Sequence, residues 1–508
     1  MSDRAAAAGH PLLSRRTSGV LLHVSSLPGR HGSGDLGDSA RHFLDWLVSA
    51  GQSIWQILPL TPPGAGHSPY QSPSAFAGSP WLVDLEDLVA SGWLERPQDP
   101  GFDTRHCDYE RVIPYRLAAL KAAWNGFQDR ASDAERAALW EFSRSNAAWL
   151  DDYTLFMVLE SRHGALWTQW PVALAQREPQ ALLKLRRDAK QELEFWAFVQ
   201  WRFDLQWQRL RHEAHVRGIH IAGDVPIFVA HHSADVWANN ALFSLDAKGE
   251  PDVVAGVPPD YFSATGQRWG NPLYRWDAMA ADGYLWWKQR LAHLLTQVDI
   301  ARIDHFRGFE TYWEIPASCP TAQEGQWRAG PGKSFFQAMK KDLGVLPIIA
   351  EDLGSITDAV TRLRQSCSFP GMKVMQFAFG DTSHNPYLPH NFERNTVVYS
   401  GTHDNDTTQG WWQTASETER YAARQYLGPT AEPEIHWAMI QSLSQSVANT
   451  MVIPLQDVLG LDGQHRMNTP GQARGCWTWR FDWSDVGSGP AARLAAMARA
   501  HGRANGRA

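Results

Sequence analysis

Cysteine is scarce in this chain of 508 residues. There are four, Cys107, Cys319, Cys367 and Cys476, and their wide, unpaired spacing offers neither a disulfide framework nor a cysteine zinc site; reduced thiols of a cytoplasm are expected. Long hydrophobic runs are missing too. No segment is apolar for long enough to span a bilayer, and residues 1–17 lack the apolar core of a signal peptide, so no membrane partner is expected. Basic runs are absent beyond the pairs Arg15-Arg16 and Arg186-Arg187, and with a formal net charge of -7 this argues against nucleic acid. There is no repeat of solenoid period and no low-complexity domain. What is abundant is tryptophan: 25 residues, which fits either a heavily aromatic core or platforms on which the C–H faces of sugars stack.

Short apolar stretches that read as strands fall at 18–24, 53–58, 218–224, 300–306, 347–350, 373–377, 396–400 and 450–455, with helical patterns such as 38–50, 334–343 and 356–365 between them. Eight buried strands alternating with helices predict an α/β fold, a parallel (β/α)8 TIM barrel over 18–490. Two long insertions interrupt it: a mainly helical one at 90–215 between strands two and three, and an insertion or loop region at 225–295 between strands three and four. Within the first, the aromatic stripe at 193–210 has helical spacing and reads as packing. Within the second, 257–272 is rich in Pro and Gly and reads as a loop, yet carries Tyr261, Phe262 and Trp269, and aromatics exposed on a loop usually bind something. Residues 1–17 and 496–508 read as flexible tails. The run Gly32-Ser33-Gly34-Asp35-Leu36-Gly37 matches a dinucleotide fingerprint, but it lies well past its strand and the next strand ends in Pro59-Leu60-Thr61, with no acid for a ribose; a dinucleotide cofactor is rejected.

The chemistry gathers where strands end. Ile300-Ala301-Arg302-Ile303 runs into Asp304 and His305, Ile348-Ile349-Ala350 into Glu351, and Val397-Val398-Tyr399-Ser400 into His403 and Asp404; strand three also ends in an acid, Asp224. In a barrel of this kind the carboxyl ends of the strands form the active face. Three converging acids suit a divalent metal, a structural polar network or glycosidic chemistry. The stretch from Asp404 fails as a calcium loop because its sixth and twelfth positions are Gln409 and Ala415, and Arg302 lessens the need for a metal. Glycosidic chemistry needs one carboxylate ionised and one carboxyl protonated. Asp304 beside Arg302 suits the first; Glu351 behind an apolar strand suits the second.

Six motifs, in this order, carry a resemblance: Ser68-Pro69-Tyr70-Gln71, Asp260-Tyr261-Phe262 through Gly270-Asn271-Pro272, Arg302-Ile303-Asp304-His305-Phe306-Arg307, Ala350-Glu351-Asp352-Leu353-Gly354, Gly401-Thr402-His403-Asp404-Asn405 and Arg466-Met467-Asn468-Thr469-Pro470-Gly471. From about Ser18 to Trp483 the chain resembles the 4-α-glucanotransferases, also called amylomaltases or disproportionating enzymes, of glycoside hydrolase family 77, relatives of the α-amylases. The resemblance implies a retaining transfer of an α-1,4-glucan segment to the 4-hydroxyl of glucose or another α-1,4-glucan, with no cofactor and no metal. It implies Asp304 as nucleophile, Glu351 as general acid and base, and Asp404 as stabiliser of the distorted sugar. It further implies that Arg302, His305 and His403 contact the sugar or the nucleophile, that Tyr70 stacks on glucose, and that Asp260 and Asn468 hydrogen-bond the glucan. Tyr261, Phe262 and Trp269 are expected to hold the acceptor and cover the intermediate. Such a route predicts carboxyl groups about 5 to 5.5 Å apart. Gly475-Cys476-Trp477 departs from the expected Gly-Asn-Trp. The alternatives are a retaining α-1,4-glucan hydrolase with the same acids, a glucan-binding protein with a dead site, and a metal-dependent barrel enzyme.

Overall fold

Buried on both faces, the eight short strands are built mostly from small, branched or aromatic residues, as a parallel sheet covered by helices requires, with the sixth, Gly-Met-Lys-Val, the least regular. The computed structural model describes residues 9–164, 166–259, 263–428 and 434–505. The strands are Thr17–Leu21, Ile54–Gln56, His220–Val225, Ile300–Ile303, Ile348–Ala350, Gly371–Val374, Thr396–Tyr399 and Thr450–Pro454. Hydrogen bonding runs sixth, seventh, eighth, first, second, third, fourth, fifth. At the remaining seam the Ala350 amide donates to the Pro370 carbonyl at 2.9 Å, so the sheet all but closes. The fold is the (β/α)8 barrel. Two registers set the geometry of its mouth: Asp224 pairs Arg302, and Ile303 pairs Ala350.

The stretch between strands two and three is helical, with Tyr109–Arg130, Asp133–Ser145, Ala147–His163 and Lys190–Val216 as its main rods. Ser132 and Glu135 form a reciprocal capping box at the start of the second. The aromatic stripe of the last rod is core: Trp196, Trp201 and Trp207 are buried, and the Trp207 indole N–H donates to the Gln297 carbonyl at 2.9 Å. Arg116, fully buried, donates to the carbonyls of His31, Ser33 and Val83 and to the Asp35 carboxylate, which explains the glycine-rich loop as a docking element for this insertion.

Four expectations need correction. The 257–272 stretch is not a loop throughout: Val253–Val257 and Gln267–Pro272 pair antiparallel, with Val257 opposite Gln267, inside a four-stranded sheet completed by Thr311–Pro316 and Gln326–Ala329. Its Gly and Pro serve the turn; Gly266 has φ +65°, and a Cβ there would meet the Val257 carbonyl oxygen at 2.4 Å. Likewise 225–295 holds the helices Ala234–Ala238, Trp276–Ala281 and Leu285–Gln297, the last of them the barrel helix that leads into strand four. The chain ends are not free tails where described. Leu13 is buried, and Ser488–Ala500 is a helix followed by Arg503, fully buried and donating to the carbonyls of Thr17, Ser444, Ser446, Ala448 and Asn449. Arg16 grips Ser444 and Ser446 from the other end of the chain. Five backbone acceptors for one guanidinium outweigh the weak helix signal of an Ala-Arg-Gly sequence. Strand six also starts earlier than expected, at Gly371, and gives way to a 3-10 turn at Met375–Phe377. No helix among the described residues is long and apolar enough to cross a membrane.

Candidate active site

Register alone brings the first two acids together. With Ile303 opposite Ala350, the next residue on each strand, Asp304 and Glu351, emerges at the carboxyl end of neighbouring strands, whose spacing is about 4.8 Å. The backbone then binds them to one another. After Asp304 the chain turns into the left-handed region at His305, φ 51°, an arrangement costing on the order of 1–3 kcal/mol for a residue with a side chain. That turn aims the His305 amide at Glu351 Oε2, 2.7 Å away, while the Leu353 amide takes Oε1, also at 2.7 Å.

Arg302, one residue inside the barrel, serves two carboxylates. Its Nη1 donates to Asp304 Oδ1 at 3.1 Å and to Asp224 Oδ2 at 2.5 Å. Asp224, from the paired position on strand three, also accepts from the Tyr70 hydroxyl at 2.8 Å, and its Oδ1 is buried without a partner among the described residues. Tyr70 in turn stacks on His403, ring centroids 5.2 Å apart, and both tilt against Trp477 at 5.7 and 5.9 Å. His403 leads to Asp404, whose Oδ1 accepts from Asn468 Nδ2 at 2.6 Å and whose backbone carbonyl accepts from Arg466 at 2.8 Å. Open clefts of about 650 Å3, lined by Tyr70, Asp224 and Phe228, and about 430 Å3, lined by His23, His403 and Arg466, flank the stacked pair.

The electrostatics follow from one cation among four carboxyls. Burial pushes Asp304 above the usual carboxylate range; Arg302 pulls it back, and Asp224, Glu351 and Asp404 add to the push. The Asp304 side chain keeps 29% of its accessible surface, so water still reaches it, and beside Arg302 it is the carboxyl placed to stay ionised. Glu351 is raised by burial against Arg302 and its two amide donors. Asp304 and Glu351, both raised, titrate as a pair. Burial opposes the Arg302 charge, yet Asp224 and Asp304 hold it protonated. The imidazoles stay neutral: burial lowers His403, and takes His305 and His23 to about 3.

Of the residues singled out in the sequence, Asp304, Glu351, Asp404, Arg302, His305, His403, Tyr70 and Asn468 therefore share one mouth. Trp269 joins them, its ring edge-to-face with His305 at 4.8 Å. Asp260, Tyr261 and Phe262 lie outside the described residues. Asp224 is visible in the sequence as an acid ending strand three but not as a member of the site, because only register reveals its pairing with Arg302. Trp477, at φ 66°, and His23 have no signal of their own. At the departure from Gly-Asn-Trp, Cys476 is buried with its Sγ 3.3 Å from the Thr469 amide, under the loop that carries Asn468.

A family model described as 4-alpha-glucanotransferase, glycoside hydrolase family 77, matches residues 22–485. The chain is 50% identical over 493 residues to the 4-alpha-glucanotransferase of Thermus thermophilus, covering 96% of this chain and 98% of that protein. It is 48% identical over 499 residues to the 4-alpha-glucanotransferase of Synechocystis sp., covering 97% and 99%. Among solved structures, the amylomaltase from Streptococcus agalactiae in complex with acarbose aligns with a TM-score of 0.93 at 36% identity, covering 96% of this chain and 100% of that one.

Proposed function

The chain belongs to the 4-alpha-glucanotransferases of glycoside hydrolase family 77, and we propose that Asp304, Glu351 and Asp404 carry the reaction as nucleophile, general acid and base, and transition-state carboxylate. It is an enzyme that transfers a segment of an α-1,4-glucan to the 4-hydroxyl of glucose or another α-1,4-glucan. The observation that supports the residue roles is the register that brings Asp304 and Glu351 out side by side at the ends of neighbouring strands.

Asp304 attacks C1 of the donor while Glu351 gives its proton to the departing glycosidic oxygen. The product is a glycosyl ester of Asp304 and a released glucan with a new 4-hydroxyl. Glu351, now ionised, takes the proton from the 4-hydroxyl of an acceptor as that oxygen attacks C1 and expels Asp304; two inversions retain the α configuration. Arg302 steadies the nucleophile, and the two amides on Glu351 stabilise its ionised form in the second half. Asp404, held by Asn468, faces the positive charge that builds on the sugar ring. Tyr70 and His403 offer the stacking surface beside it.

Water at about 55 M competes with an acceptor at about 10 mM, so even equal flux needs roughly 5 kcal/mol in favour of the sugar. Trp269, edge-to-face with His305, supplies part of that bias by stacking the acceptor and shielding the ester, a role expected of Tyr261 and Phe262 from the sequence as well. Maltotriose tests the reading: the expected products are glucose and longer oligomers at a constant number of reducing ends. A rising reducing-end count would identify a hydrolase.

A further inference from the structure

At the opposite face of the barrel, three side chains from different elements converge. His215 lies in the last turn of the helix Lys190–Val216, His220 opens strand three, and Asp299 precedes strand four. One donor atom from each lies within 4.8 Å of the others, the one such group of three found among the described residues. Tetrahedral zinc with ligands at about 2.0–2.1 Å holds its donors about 3.4 Å apart, so each side chain has to shift by less than about 1 Å to meet it.

The chemistry of the three groups fits. His215 Nε2 sits 2.9 Å from both Asp299 oxygens, a hydrogen-bonded contact whose proton a metal ion beside the pair would displace. The carboxylate is already oriented as a ligating group would be, by the Ile221 amide on Oδ2 at 2.8 Å and by Arg211 on Oδ1 at 2.6 Å. The His220 ring lies tilted to that of His215, with centroids 6.1 Å apart. Two positive groups, Arg211 and Arg15, face the cluster and restrain its affinity.

We propose that His215, His220 and Asp299 form a binding site for a divalent transition metal of the zinc class, with solvent as fourth ligand. Because the three residues join the helical insertion to strands three and four, the ion clamps the insertion to the barrel floor and acts on stability rather than turnover.

The test uses the full-length chain, stripped with chelator and titrated with zinc chloride by calorimetry, alongside thermal unfolding and the visible spectrum of the cobalt-substituted protein. One equivalent per chain is expected, with micromolar or tighter affinity, a tetrahedral cobalt spectrum and a raised Tm. His220→Gln and His215→Ala should each weaken binding on the order of 100-fold and remove the Tm rise, while maltotriose turnover stays at the wild-type rate. Binding undiminished in both variants would mark an adventitious ion only, and the absence of saturable binding in the wild type would equally overturn the site. His215 has a half-exposed side chain, so its variant folds even if that of His220 does not.

Discussion

Strand four carries an aspartate just beyond each end, and the two are treated in opposite ways. Before it, Asp299 has every oxygen engaged: burial works against its charge, but the Ile221 amide, His215 and Arg211 outweigh that and hold the carboxyl below its ordinary range. After it, Asp304 shares a single guanidinium with Asp224, faces two further carboxyls, and is pushed up. Five residues apart, the same side chain is satisfied at the floor and left short of partners at the mouth. An uncompensated carboxylate is costly to a fold and useful to a reaction, so the contrast separates what this barrel needs to stand from what it needs to act.

Substitutions at the two ends should therefore move different observables. Asp304→Asn is expected to lower kcat by on the order of 10^4 to 10^6 while maltooligosaccharide still binds and Tm holds or rises, measured by turnover, calorimetry and thermal unfolding. A matching fall in Tm would erase the contrast. Glu351→Gln should cost about 10^2 to 10^4 in kcat with natural glucans. With a donor bearing a good leaving group, azide, which needs no base, should restore turnover as an α-glucosyl azide. In the wild type the alkaline limb of kcat/KM should lie above the ordinary glutamate value of about 4.3, since burial raises Glu351, and this limb should vanish in the variant. At the floor, Asp299→Asn should reduce stability by about 1–3 kcal/mol at neutral pH and leave turnover unchanged. Asp299 is depressed in the folded state, so its contribution is present above the unfolded value of about 3.9 and is lost as pH falls through the folded one; wild type and variant should converge in acid. The smallest expected effect is that of Trp269→Ala, a severalfold rise in hydrolysis relative to transfer, read as reducing ends formed per transfer event.

The barrel is legible in the sequence because parallel strands buried on both faces must be apolar runs, and seven of the eight announce themselves that way. The sixth is displaced because Gly371 and Lys373 break the run. Gly371 is required there, since a Cβ would meet the Asp352 carboxylate at 2.4 Å. The acids at strand ends are visible one by one; their pairing across strands is not, which is why Asp224 stands out as an acid without showing itself as a partner of Arg302 and Tyr70. The hairpin at 267–272 escapes a sequence reading because backbone pairing there makes little use of side-chain pattern. The C-terminal segment misleads for a related reason: what orders Arg503 is a set of carbonyls distant in sequence, and no local window contains them.

That buried arginine has a consequence for how the protein comes into being. Arg503 joins the end of the chain to the carbonyls that bracket strands one and eight, and Arg16 reaches the same Ser444–Ser446 segment from the opposite terminus. On the ribosome, the first strand meets strand two early but waits for strand eight until most of the barrel has been made, and the fastening emerges later still. A nascent chain stalled short of residue 503 would hold an open, unlatched sheet, exposed to proteases and chaperones until that arginine clears the exit tunnel.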